Sequence, residues 1–151
     1  MKLDRRQVLG LTAGAAVLAV AGVRVNPASA AAEETKKRVM EFSGGKEPAS
    51  GKIALKAPEI AENGNTVPIS VSVESAMSGD DMVESVIILA EGNPNPEVAT
   101  FHFTEMSGEA SATTRMRLAK TQNVVAVAKM KDGSVYSDTR LVKVTIGGCG
   151  G

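Results

Sequence analysis

The residue best suited to covalent chemistry is Cys149, the single cysteine among 151 residues, set in the run Gly147-Gly148-Cys149-Gly150-Gly151. A cysteine thiolate is the nucleophile of disulfide exchange, and it can carry sulfane sulfur as a persulfide. Glycine has no side chain to pack and loses the most backbone freedom on ordering. A cysteine flanked by four glycines is therefore expected to be solvent-accessible, on a flexible arm that swings about 10 Å from Ile146 at about 3.5 Å per residue. The commonest role of a lone cysteine, a small buried hydrophobe, does not fit a segment with nothing to bury itself against. An exposed thiol kept in an oxidising compartment points instead to use. No cation adjoins it, Lys143 being the nearest in sequence. Activation of the thiol is expected to come from partners.

Other chemistry is hard to assemble. His102 sits between Phe101 and Phe103 on an alternating run and reads as a surface or interface histidine. Asp80-Asp81 has no His or Cys nearby in the sequence, so a metal site is not expected. No nucleophile–base–acid set and no phosphate loop can be built. The chain is expected to be non-enzymatic, with no catalytic residues, no metal and no cofactor.

The first thirty residues carry Lys2, Arg5 and Arg6, an apolar run from Val8 to Val23, and then Ala28-Ser29-Ala30. This order describes a cleaved export signal. Asp4-Arg5-Arg6-Gln7-Val8-Leu9 resembles the twin-arginine motif, with Asp4 where Ser or Thr is common and Val8 where Phe is common. The apolar run is short and rich in Ala and Gly, so no permanent membrane anchor is expected. From residue 31 onward thirteen Lys and Arg face sixteen Asp and Glu, a net charge of −3, and there is no Trp. Without a basic patch or stacking platforms, nucleic-acid binding is excluded.

The elements that must hold the thiol are β-strands. Glu33 to Phe42 reads as one short helix stopped by Ser43-Gly44-Gly45. From Gly51 onward, short β-branched runs alternate with turn residues. Ile53-Ala54-Leu55 precedes Pro58, and Glu62-Asn63-Gly64-Asn65 reads as a tight turn. Thr66 to Ser75 places Val67, Ile69, Val71 and Val73 on one face, and Pro68 argues for an edge position. Met82 to Ala90 is apolar enough for an inner strand. Val98 to Thr104, Ala112 to Leu118, Val124 to Met130 and Val135 to Ile146 follow, with a hairpin turn at Lys131-Asp132-Gly133-Ser134. The expected fold is all-β, an immunoglobulin-like antiparallel β-sandwich of about seven strands, with a small open barrel as the other arrangement of the same pattern. One cysteine rules out the immunoglobulin disulfide, and a domain of about 120 residues buries a sufficient core without it. The expected organisation is an export signal over 1–30, a helix and linker over 31–50, the sandwich over 51–146 and the carrier arm over 147–151.

Beyond the glycine-flanked cysteine, three stretches resemble the SoxY family, the sulfur-carrier subunits of the periplasmic thiosulfate-oxidising Sox system. They are Glu62-Asn63-Gly64-Asn65-Thr66-Val67-Pro68, the run Asn93-Pro94-Asn95-Pro96-Glu97-Val98-Ala99-Thr100-Phe101, and Lys120-Thr121-Gln122-Asn123-Val124-Val125-Ala126-Val127-Ala128. The resemblance implies that Cys149 is the covalent attachment site and that Gly147, Gly148, Gly150 and Gly151 form its arm. It also implies a heterodimer with SoxZ, a second β-sandwich subunit. A c-type cytochrome enzyme then couples thiosulfate to the cysteine sulfur, and a hydrolase releases sulfate. In some systems a molybdenum–haem enzyme oxidises the remaining sulfane; elsewhere that sulfur is stored.

Three other readings compete. A ubiquitin-like sulfur carrier also ends in Gly-Gly, but it is cytosolic and has a helix across a mixed sheet. A structural sandwich subunit would use Cys149 for an interchain disulfide. A thiol peroxidase would need a supporting base, which the sequence does not supply.

Overall fold

The computed structural model describes residues 27–148, with side chains from Ala31 onward. The leader up to residue 26, with Arg5 and Arg6, lies outside the described residues, as do Cys149, Gly150 and Gly151.

Helix α1 spans Pro27–Ser43. It begins earlier than the Glu33 start expected from sequence and runs through Ala28-Ser29-Ala30. Proline suits a first helical position, where its missing N–H has no partner in any case, and the alanines after it favour helix. The end matches the expected stop. Gly45 donates to the Met40 carbonyl at 2.8 Å and Gly44 to that of Glu41 at 3.3 Å. Both glycines have positive φ, 68° and 85°. This is the Schellman arrangement, which satisfies carbonyls that the helix leaves unpaired. Among the described residues no helix is long and apolar enough to cross a membrane.

Nine strands are described: β1 Ala49–Ser50, β2 Ile53–Lys56, β3 Ile60–Asn63, β4 Val67–Val73, β5 Val83–Ala90, β6 Glu97–His102, β7 Ala110–Met116, β8 Gln122–Met130 and β9 Val135–Ile146. One sheet has the order β1-β9-β8-β5-β6, with β3 joining β9, and the other is β2-β4-β7. Their facing sides interleave Leu55, Val67, Ile69 and Val71 with Val86, Ile88, Val124, Ala126 and Val142. The fold is thus the expected all-β sandwich. The two strands beyond the expected seven, β1 and β3, are two and four residues long and pair with β9 in parallel. Periodicity cannot register pieces this short.

The sequence pattern follows the layers. Strands β5 and β8 are apolar almost throughout because both of their faces are covered. Val86 and Ile88 point into the sandwich, while Ile87, Leu89, Val125 and Val127 pack under Val39 and Phe42 of α1. Strand β4 alternates, since only one of its faces meets the core. It lies in the middle of its sheet, not at an edge as Pro68 had implied. The proline is tolerated because pairing with β2 ends at Ser70, so at Pro68 the strand has only β7 beside it. The open side of β2 is closed by side chains of β9. Leu55 donates its N–H to Asp138 at 2.9 Å, and Arg140 donates to the Leu55 carbonyl at 3.1 Å.

Candidate functional site

Strand β9 delivers the chain to Cys149, and three neighbours hold it in succession. Pairing with β8 runs from Val135 to Val142. There β3 takes over in parallel, with Ile60 opposite Lys143 and Asn63 opposite Ile146. Thr121 accepts the Val144 N–H at 2.9 Å. Beyond Ile146 the chain is still attached. Gly64 donates to the Ile146 carbonyl at 2.7 Å, Leu118 donates to the Gly64 carbonyl at 2.8 Å, and Gly148 donates to the Leu118 carbonyl at 2.9 Å. Gly148 is buried.

Glycine is required here by crowding. A Cβ on Gly148 would stand 2.6 Å from the Gly64 carbonyl oxygen, and one on Gly64 would stand 2.7 Å from the Gly148 nitrogen. A Cβ on Gly147 would run into the Ala119 carbonyl. All three distances are shorter than side-chain carbons tolerate. An arm pivoting at Ile146 was expected; the structure seats Gly147 and Gly148 against the body.

The ledge that receives them is itself fixed. Asn93, 7% exposed, donates to the Arg117 carbonyl at 2.8 Å and accepts the Ala119 N–H at 3.0 Å. Its oxygen also accepts from Gln122 at 2.9 Å, and Gln122 accepts the Gly92 N–H at 2.6 Å. One buried amide therefore staples residues 117 and 119 on both sides of Leu118. The three stretches that carry the family resemblance supply Gly64, Asn93 and Gln122, which meet at this place. From sequence Gly64 reads only as a turn residue, and none of the three is assigned to the tail, because a buried amide and a close-packed glycine have no chemical signature of their own. The exposed cations Arg117 and Lys120 flank the ledge.

The other candidates lie elsewhere. His102 is exposed and ends β6 opposite Ser85, which pairs with Lys129 at the far end of β8 from Gln122. Asp81 accepts from Lys52 at 2.8 Å and from the Ala76 N–H at 2.8 Å. The Lys52 hydrogen bond, followed by the Ala76 N–H, holds its carboxyl below the usual range, and the same bond raises Lys52. Asp80 neighbours it in a one-turn 3-10 helix. Among the described residues no three His, Cys, Asp or Glu stand close enough to hold a metal.

Comparison with known proteins places this arrangement. The profile of the sulfur oxidation protein SoxY matches residues 39–149, and so runs through Cys149. The structure is similar to the sulfur carrier protein SoxY from Chlorobium limicola f thiosulfatophilum. Identity is 34%, coverage 76% of this chain and 99% of that one, and the TM-score 0.62. It is also similar to superoxide reductase (neelaredoxin) from Ignicoccus hospitalis, at 19% identity, 63% and 81% coverage and a TM-score of 0.53. At that identity the likeness shows the fold alone. No curated protein matches the chain. The match over residues 39–149, together with the likeness to the Chlorobium protein, establishes that this chain belongs to the SoxY family of sulfur oxidation proteins.

Proposed function

We propose that the protein is a covalent carrier of sulfur-oxidation intermediates and that Cys149 is the attachment site. The observation that carries this reading is the family match extending to Cys149, on a chain whose last strand is directed and held up to the residue before it. A carrier needs a thiol that several enzymes can reach, more than it needs an active site of its own.

The chemistry balances as follows. The Cys149 thiolate and thiosulfate join through a new S–S bond, and the two electrons released pass to a c-type cytochrome partner. Water then attacks the terminal sulfone. Sulfate and two protons leave, and the sulfane sulfur remains on Cys149 as a persulfide anion. A thiol with an ordinary pKa of about 8.5 is only a few per cent thiolate at neutral pH, so the partner enzymes complete its activation.

The carrier works in the periplasm after export through its twin-arginine-like leader, paired with a SoxZ-like sandwich subunit. The carrier itself has no cofactor and no active site. In a mixture reconstituted from this protein, its partner subunit, the Sox enzymes and thiosulfate, Cys149→Ser abolishes sulfate release with no change in melting temperature. Sulfate release retained by that variant would overturn the proposal.

A further inference from the structure

We propose that Gly64 and Asn93 are positioning residues of the carrier, forming with Leu118–Ala119 a socket that grips Gly147–Gly148 and fixes where Cys149 leaves the body. The inference deepens the carrier reading and rests on it.

The socket closes from two sides. On one side, Gly64 bonds to Ile146 through its N–H and to Leu118 through its carbonyl, and Leu118 accepts Gly148. On the other, Asn93 holds the two residues flanking Leu118. Gly64, Gly147 and Gly148 approach the ledge and one another too closely for any side chain. The consequence is a matter of reach. With Gly148 seated, the Cα of Cys149 stays about 3.8 Å from that of Gly148 by covalent geometry. With Gly148 released, three Cα–Cα steps separate Cys149 from Ile146 and the span grows to about 10 Å. The socket thus sets two lengths of arm. A partner meets the thiol at a defined point on the body while Gly148 is held, and release lets the thiol travel further into a slot. Glycine serves both states, being thin enough to fit the ledge and free enough to leave it.

Cys149, as the single thiol, takes a nitroxide label without further engineering, and neither the label nor amide exchange depends on sulfur transfer. In the unsubstituted full-length chain, the Gly148 amide is expected to exchange at least about tenfold more slowly than in an unstructured peptide. Gly64→Ala is expected to raise that rate about tenfold and to sharpen the nitroxide spectrum, with the amides of Val125, Ala126 and Val127 in β8 unchanged. If Gly64→Ala also disturbs β8, Gly148→Ala decides the matter. Its Cβ meets the Gly64 carbonyl from beyond the last strand, so the nine strands are expected to stay intact. A Gly148 amide that exchanges at the peptide rate in the unsubstituted protein would overturn the socket. So would a nitroxide spectrum identical in all three proteins. Failure of the carrier reading shows elsewhere, as absence of sulfur adducts on Cys149.

Discussion

Glycine plays two separate parts in this chain, and a substitution distinguishes them. At Gly44 and Gly45 it supplies positive φ for the helix stop; at Gly64, Gly147 and Gly148 it supplies closeness, since the added carbon would strike backbone. Asn93 has a similarly local role. Asn93→Ala leaves the Arg117 carbonyl, the Ala119 N–H and the Gln122 amide without this partner, in a place largely closed to water. Each buried polar group left unpaired costs about 1–3 kcal/mol, so urea unfolding is expected to show a loss of about 3 kcal/mol. Asp81 acts through charge. Its carboxyl, normally near 3.8, is lowered in the fold by Lys52. A lowered carboxyl stabilises the fold fully above its unfolded value, and the contribution is lost as pH falls through the folded value. Melting temperature measured from neutral pH down to about pH 2 should therefore fall more steeply in the unsubstituted protein than in Asp81→Asn, with the two converging at the acid end.

Helix α1 and strands β5 and β8 form one packing unit, and their sequences show it only in part. The unbroken apolar run Val86-Ile87-Ile88-Leu89 is legible as an inner strand, but not the identity of what covers its second face. That cover is Val39 and Phe42, whose helix reads from sequence as weakly amphipathic. Phe42→Ala should cost about 2 kcal/mol, less than a fully buried phenylalanine because the residue is only partly buried, and should increase binding of a hydrophobic dye over Ile87 and Val127. The strand containing Pro68 misleads in the other direction. Proline marks missing pairing at its own position, and β4 is flanked on one side there while flanked on both sides further along. Strands β1 and β3 are illegible for a physical reason: parallel pairing of two to four residues leaves no alternation to detect, although β3 is what carries β9 on toward Gly64.

At the scale of the molecule, a two-sheet core without a disulfide accounts for the fold, and stability should not depend on redox state. The melting temperature of the monomer is expected to be the same with and without reductant, as checked by calorimetry; a drop on reduction would favour a structural disulfide through Cys149. The glycine-flanked segment was legible as a candidate site because a lone cysteine among glycines has few uses. Its seating was not, because Gly64, Asn93 and Leu118 come together only through the handover of β9 from β8 to β3, and contacts so distant in sequence leave no local pattern. Whether Cys149 carries sulfur is read out by an intact-mass spectrum of the protein from thiosulfate-grown cells. Mass additions of sulfane and thiosulfonate groups are expected, disappearing on reduction and absent from Cys149→Ser. An unmodified thiol under those conditions, or a mass corresponding only to a disulfide-linked homodimer, would contradict the carrier reading.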